Sequence, residues 1–228
     1  MGTTQFIAAG VGAGDDVVLP AFGGEAAAVA VRELGARPVF ADIDPWTYCI
    51  DPASVEDVLT ERTVAVVALH LFGHPADLDG LRAVGGRHGA AVVEAEPLPQ
   101  CATVDAVRRR QHAAYLDRRL TGVVKPEVAE GTQHGFSAYV VRVPGNGRPD
   151  RDAFKRALRA RGVECYVPVK APVHRLPGFS AGTRLPVAER AADETLALPV
   201  DASMSKRDLH RVVSACNALG GLLMEPAC

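Results

Sequence analysis

The sequence predicts an α/β protein, a parallel sheet of about four strands with a small C-terminal α+β lobe. Three observations lead there. Short apolar runs at residues 16–20, 37–43, 64–70 and 90–96 alternate with helix-like stretches, and strict alternation of strand and helix makes a parallel sheet. The runs are nearly continuous in apolar residues, the pattern of strands covered on both faces. After Cys101 the texture changes to a long Arg-rich helix and then shorter mixed elements. That change divides the chain into a larger α/β part, residues 1–100, and a smaller lobe, residues 101–228.

Asp16-Val17-Val18-Leu19-Pro20 and the run from Arg37 to Ile43 are the first two strands, both rich in residues that fit a pleated surface. Asp51-Pro52 supplies an N-cap and a first-turn proline for a helix at 54–59. A strand at 64–70 follows, then a helix whose apolar stripe is Leu78, Leu81 and Val84, ending near Gly85-Gly86. The strand at 90–96 closes the α/β part. In the smaller lobe the same reading gives a helix at 103–120, a strand at 137–143, a helix at 152–161 ended by Gly162, a strand at 163–169, and helices at 186–194 and 205–219. The Pro- and Gly-rich stretches 144–149 and 172–186 are turns and loops, because regular elements resume at once.

A chain of 228 residues with 48% hydrophobic content holds one fair-sized core or one and a half domains. The net charge of −2 gives no general attraction to nucleic acid or acidic membranes. Arg108-Arg109-Arg110 shares its helix with Asp105 and Asp117 and reads as a solvated face. The five cysteines are scattered, with no C-x-x-C pair, which speaks against a disulfide framework and a structural zinc site. A reduced, cytoplasmic protein is expected. The first residues lack a basic n-region, and no apolar run is long enough for a membrane span.

In open parallel sheets, ligands collect beyond the carboxyl ends of the strands. His70, His74, Glu94 and Glu96 fall at such ends, where histidine and carboxylate can run general acid/base chemistry. A solvated carboxylate is the simpler reading of each glutamate. His174, Tyr166, Glu164 and Cys165 form a second polar group, on the small lobe. No metal is expected at His70 and His74, which sit on a loop without the H-E-x-x-H helix signature. Cys165 has no visible base to activate it. Gly10-x-Gly12-x-Gly14 precedes a strand instead of following one, so it is a turn and no dinucleotide fingerprint.

Several segments together resemble one family. They are the run from Gly10 to Phe22, the run from Gly35 to Pro45, His70-Leu-Phe-Gly-His-Pro-Ala-Asp77, Tyr139-Val-Val-Arg-Val-Pro144, Pro172-Val-His-Arg-Leu-Pro177 and Leu185-Pro-Val-Ala-Glu-Arg190. In order and spacing they are similar to the DegT/DnrJ/StrS sugar aminotransferases, over almost the whole chain. The resemblance implies the fold type I architecture of pyridoxal-phosphate (PLP) enzymes, usually a homodimer, often acting on nucleotide-linked keto-sugars. It makes His70 and His74 family-typical, so an inherited pocket explains them as well as a new catalytic role. It also places Phe22, His74, Tyr166 and Lys170 as substrate-binding positions, with His174 on a substrate-proximal loop. The catalytic candidates are then His70, Glu94, Glu96 and His174.

The resemblance also defines what is missing. Family members carry a long block holding the Schiff-base lysine between the segments equivalent to 90–96 and 103–120, and this chain has none. Ala95 stands where the family has the aspartate that binds the pyridine nitrogen, and Gly24 where it has an aromatic plate. Those groups make the cofactor an electron sink, so PLP is not expected. Lys170 is the only substitute lysine worth naming, and an ordinary solvated lysine is the simpler reading. Gly2-Thr3-Thr4 resembles the family's phosphate-gripping turn, without the preceding strand. The losses fall on one flank of the sheet, leave a truncated sheet of fold type I and put strand 90–96 at an edge. An open apolar edge invites a partner, so a homodimer or heteromer, or the small lobe, is expected to cover it. Two functions compete: a PLP-independent enzyme that cyclises, isomerises or dehydrates a small-molecule intermediate, and a non-catalytic partner of a full-length aminotransferase.

Overall fold

The computed structural model describes residues 3–95, 103–144, 151–179 and 182–220. The chain forms two compact units. The first comprises Met1–Leu71, Pro75–Leu98 and Ala171–Ala192, and the second Phe72–His74, Pro99–Lys170 and Asp193–Cys228.

In the first unit, α1 (Thr4–Ala8) precedes β1 (Asp16–Pro20), α2 (Glu25–Glu33), β2 (Arg37–Ala41), α3 (Pro52–Glu56), β3 (Thr63–Ala68), α4 (Leu78–Arg87) and β4 (Ala91–Glu94). The strands form a four-stranded sheet in the order β2-β1-β3-β4, parallel throughout. Local chemistry sets the helix starts. Asp51 accepts from the amides of Ala53 and Ser54, with Pro52 at the first helical position, and Asp77 accepts from Gly80 at the head of α4. β1 is buried along its whole length, as a central strand under helices must be.

Double coverage does not extend to the outer strands. In β4, Ala91 is exposed, Val92 and Glu94 are half-buried, and only Val93 is buried; in β2, Arg37 is exposed and Pro38 and Val39 are half-buried. The expectation of strands covered on both faces thus holds for β1 and nearly all of β3, because among the described residues the outer strands have a neighbour on one side only. The Ala95 amide donates to Ala68 O at 3.0 Å. By alternation along the strand, Val92 and Glu94 turn their main-chain groups to the open side of β4.

Asp16, at the start of β1, is fully buried and paired. Arg37 donates to both carboxylate oxygens, at 2.7 and 2.6 Å, and Thr60 adds a bond at 2.9 Å. The Arg37 hydrogen bond, helped by Thr60 and the nearby Arg62 charge, holds Asp16 below the usual carboxylate range against its burial. A depressed folded-state pKa contributes stability above the unfolded value of about 3.9, and that stability is lost as pH falls through the folded value. Arg37 is more than half exposed, so the Coulombic part is screened. Asp16→Asn should therefore cost about 2 kcal/mol at pH 7 and flatten the loss of stability below about pH 4, read by urea titration across that range.

The second unit is built on α5 (Val104–Asp117), β5 (Tyr139–Arg142), α6 (Arg151–Ala160), β6 (Thr195–Leu198) and α8 (Lys206–Gly220); α7 (Pro186–Glu194) leads into β6. β5 and β6 pair antiparallel. Leu116, Tyr139, Leu158, Leu196 and Cys216 are fully buried at the centre of its core. The strand expected at 163–169 is absent: only Tyr166 bridges to Ala197. Pro168 lacks the N–H that a continued ladder requires, so the contact stops at that one bridge. β6 itself went unread because it follows α7 with no turn residue between them.

Candidate functional site

The carboxyl edge of the first unit's sheet carries the polar groups. At the end of β1, Ala21 O accepts from Val173 N at 2.7 Å, which seats the single turn Val173–Arg175 there. At the end of β2, Asp42 is buried and accepts from Val187 N at 2.9 Å and Ala188 N at 2.8 Å. That carboxylate caps α7 from far away in sequence, where helix amides need an acceptor and the helix dipole favours negative charge. Beyond β3 lies His70, and β4 ends in Glu94.

Two histidine–carboxylate pairs result. His174, with 3% of its surface exposed, lies 3.2 Å through Nε2 from Glu189 Oε1 of α7. Arg175 reaches Oε2 of the same carboxylate at 2.6 Å, and Leu185 N donates to Oε1. The His174 bond chiefly, with Leu185 and the Arg175 charge, holds Glu189 below the usual carboxylate range. Facing an ionised acceptor, Nε2 carries the proton. Nδ1 is buried and without a hydrogen-bond partner.

The second pair differs in one respect. His70 Nδ1 accepts from Ala76 N at 3.0 Å, and Nε2 lies 3.4 Å from Glu94 Oε2. Both ring nitrogens are engaged, so His70 orients Glu94. Arg82 holds the other carboxylate oxygen at 3.3 Å, and Glu94 is a little over one-third exposed. The more accessible group of this pair is the glutamate.

The structure thus brings His70 together with Glu94, and seats the His174 loop at the strand that ends beside Phe22. Phe22 is fully buried, its ring 5.9 Å from Tyr48. His74, Tyr166 and Lys170 belong to the second unit, where His74 packs edge-on against His134 and both Tyr166 and Lys170 are exposed. Glu96 lies outside the described residues. Sequence reasoning missed Glu189 and Asp42. Both stand inside quoted family-like segments, Leu185 to Arg190 and Gly35 to Pro45, but nothing local marks their partners. Among the described residues no group of three or more His, Cys, Asp or Glu can hold a metal ion, and no helix is long and apolar enough to cross a membrane.

The family model of the DegT/DnrJ/EryC1/StrS aminotransferase family matches residues 3–96 and 100–217. The chain belongs to this family. Within the family, the pleiotropic regulatory protein of Geobacillus stearothermophilus is 28% identical over 90% of this chain and 78% of its own length. That alignment runs over 298 positions, more than the 228 residues available, so a block of the relative stands opposite a gap. The L-glutamine:2-deoxy-scyllo-inosose aminotransferase of Streptomyces paromomycinus is 48% identical over 87 residues, 38% of this chain, and the chain spans 20% of that relative. Among solved structures, the aminotransferase TlmJ of Streptoalloteichus hindustanus superposes with a TM-score of 0.85 at 25% identity, covering 96% of this chain and 83% of that one. The architecture is that of fold type I aminotransferases, with a four-stranded parallel sheet.

The family is normally PLP-dependent, and several positions of this member bear on that group. Its lysines are Lys125, Lys155, Lys170 and Lys206, all in the second unit. Ala95, immediately after β4, is buried and offers no carboxylate. At Gly24, any β-carbon would stand 2.5 Å from the main-chain oxygen of Pro20, so the backbone of β1 excludes an aromatic plate there. α1 is a helix of five residues, and Thr3 makes no side-chain cap at its start.

Proposed function

We propose that this family member works without PLP, as a general-base enzyme that isomerises, cyclises or dehydrates a small-molecule intermediate of bacterial natural-product biosynthesis. One observation carries the reading: His174 presents a buried, unpartnered Nδ1 while Glu189 fixes its other nitrogen. A buried acceptor left unmade costs about 1–3 kcal/mol, which a substrate hydroxyl or acidic C–H would relieve. Glu189 fixes the tautomer and stabilises the imidazolium formed when Nδ1 takes a proton, and Arg175 keeps Glu189 ionised. The proton taken by His174 Nδ1 is returned from that imidazolium to the product, and Glu94, oriented by His70 and Arg82, offers its carboxylate to a substrate hydroxyl at the same sheet edge. Glu96 is assigned to this edge on sequence grounds.

The test uses the intermediate made by the enzymes encoded beside this gene. His174→Gln should lower kcat/KM by about 10²–10⁴-fold and abolish solvent-deuterium incorporation into product, with the melting temperature kept. Glu189→Gln, a positioning change, should shift the pH–rate profile. Incubation with PLP should give no internal-aldimine absorbance and no borohydride-trapped adduct, and a stoichiometric adduct on Lys170 would sink the cofactor-free reading. The open side of β4 favours a second reading, a non-catalytic partner whose sheet edge pairs with another subunit, itself or a full-length aminotransferase. Unchanged rates in the histidine and glutamate variants, with a stoichiometric aminotransferase co-purifying from the host, would select it.

A further inference from the structure

The second unit holds a cleft of about 850 Å³ that plays no part in the proposed reaction. One wall is a single face of α5, where Arg110, Ala114 and Asp117 follow at helical spacing. The other is the segment 123–128, anchored where Val124 exchanges two main-chain hydrogen bonds with Arg142 of β5, at 2.9 and 2.8 Å. Val123, Val128 and Phe136 make much of the lining apolar. A largely apolar hollow of this size with a few converging polar groups is the usual form of a small-molecule site.

The polar groups converge on Asp117. The Tyr139 phenol donates to Oδ1 at 2.5 Å, and Lys125 Nζ donates to the main-chain oxygen of the same residue at 2.7 Å. These bonds leave Oδ2 as an acceptor and the remaining N–H groups of Lys125 as donors. Burial pushes the Asp117 carboxyl up, and a perturbed carboxyl lining a cleft marks a working site more often than an ordinary surface. The lining also mixes signs, Arg110 and Lys125 against Asp117 and Glu127. A ligand of either full charge meets a like charge there, whereas a hydroxyl both donates to a carboxylate and accepts from an ammonium.

We propose that this cleft binds a neutral cyclic polyol, with one hydroxyl of a vicinal pair held between Asp117 and Lys125 and the ring's C–H face against Val123, Val128 and Phe136. The probes are myo-inositol and methyl α-D-glucopyranoside, added to the full chain. Saturation-transfer NMR should show binding of at least one in the millimolar range, with methyl shifts in wild-type protein confined to Ala114, Val123, Val124 and Val128. Asp117→Asn and Lys125→Met should each weaken binding about tenfold. His174→Gln should leave it unchanged, so failure here and failure of the proposed reaction are told apart. No transfer to either polyol at about 20 mM, or methyl shifts elsewhere in wild-type protein, would overturn the proposal even if a variant fails to fold. Equal affinity in folded Asp117→Asn and Lys125→Met would overturn it as well.

Discussion

Gly73→Ala should destabilise the second unit by about 3 kcal/mol. Gly73 has φ +90°, and a β-carbon there would stand 2.7 Å from Phe136 N and 2.9 Å from Ser137 N. Both are main-chain atoms, so relief requires moving the chain. That chain is held: Gly135 N donates to Gly73 O at 2.8 Å, and the Phe136 amide donates to His134 Nδ1 at 2.9 Å. Phe72 and Phe136 already occupy left-handed backbone at φ 57° and 45°, leaving little freedom to absorb a shift. The cost has two parts, about 1 kcal/mol for the backbone conformation and about 2 kcal/mol for the clash. Gly131→Ala separates them. Gly131 has φ +83° with nothing within 4 Å of a β-carbon, so it should cost the first part alone. Urea unfolding followed by circular dichroism checks both, and equal losses would refute the steric account.

Asp42→Ala should cost the first unit about 3 kcal/mol. Asp42 accepts from Ile43 N, Val187 N and Ala188 N, and its removal leaves helix amides without an acceptor in a buried place. Loss of an N-cap alone is worth about 1 kcal/mol, and an unmet buried donor about 1–3 kcal/mol. Asp42→Asn keeps one acceptor oxygen and should recover about half. Trp46, close to Asp42 in sequence and its amide bonded to Asp44, reports the transition by fluorescence. Under the proposed function the change also has a catalytic readout. Glu189 lies in the first turn of α7, so loosening that turn should weaken the Glu189–His174 bond and lower activity in molecules that remain folded.

Much of the fold was legible because periodicity is local. Alternating apolar runs marked all four parallel strands, and α7 was read at Pro186–Glu194 from its own residues. What escaped reading depends on separation. The Asp42–Val187 bond joins residues 145 apart, and nothing near Asp42 announces that its carboxylate serves a helix. Glu189 likewise reads as an ordinary first-turn acid until His174 is placed 3.2 Å away. β6 escaped for a different reason: Thr195-Leu-Ala-Leu198 has helix-compatible composition, and pairing with β5 overrides it. His70 and Glu94 were expected at strand ends, yet which of the two is engaged through both its nitrogens and which is exposed follows only from Ala76 and Arg82.

The cap on α7 also sets an order of assembly. On the ribosome, Asp42 and the four parallel strands emerge long before Val187 and Ala188, and domains fold as units in the order they are made. The sheet must therefore persist with its carboxyl edge unfinished while the rest of the second unit's N-terminal portion is synthesised. Only when residues 171–192 arrive do Val173 dock on Ala21 and α7 settle on Asp42. The proposed reaction site is thus the last part of the first unit to exist, and a nascent chain halted before α7 holds the sheet without the chemistry.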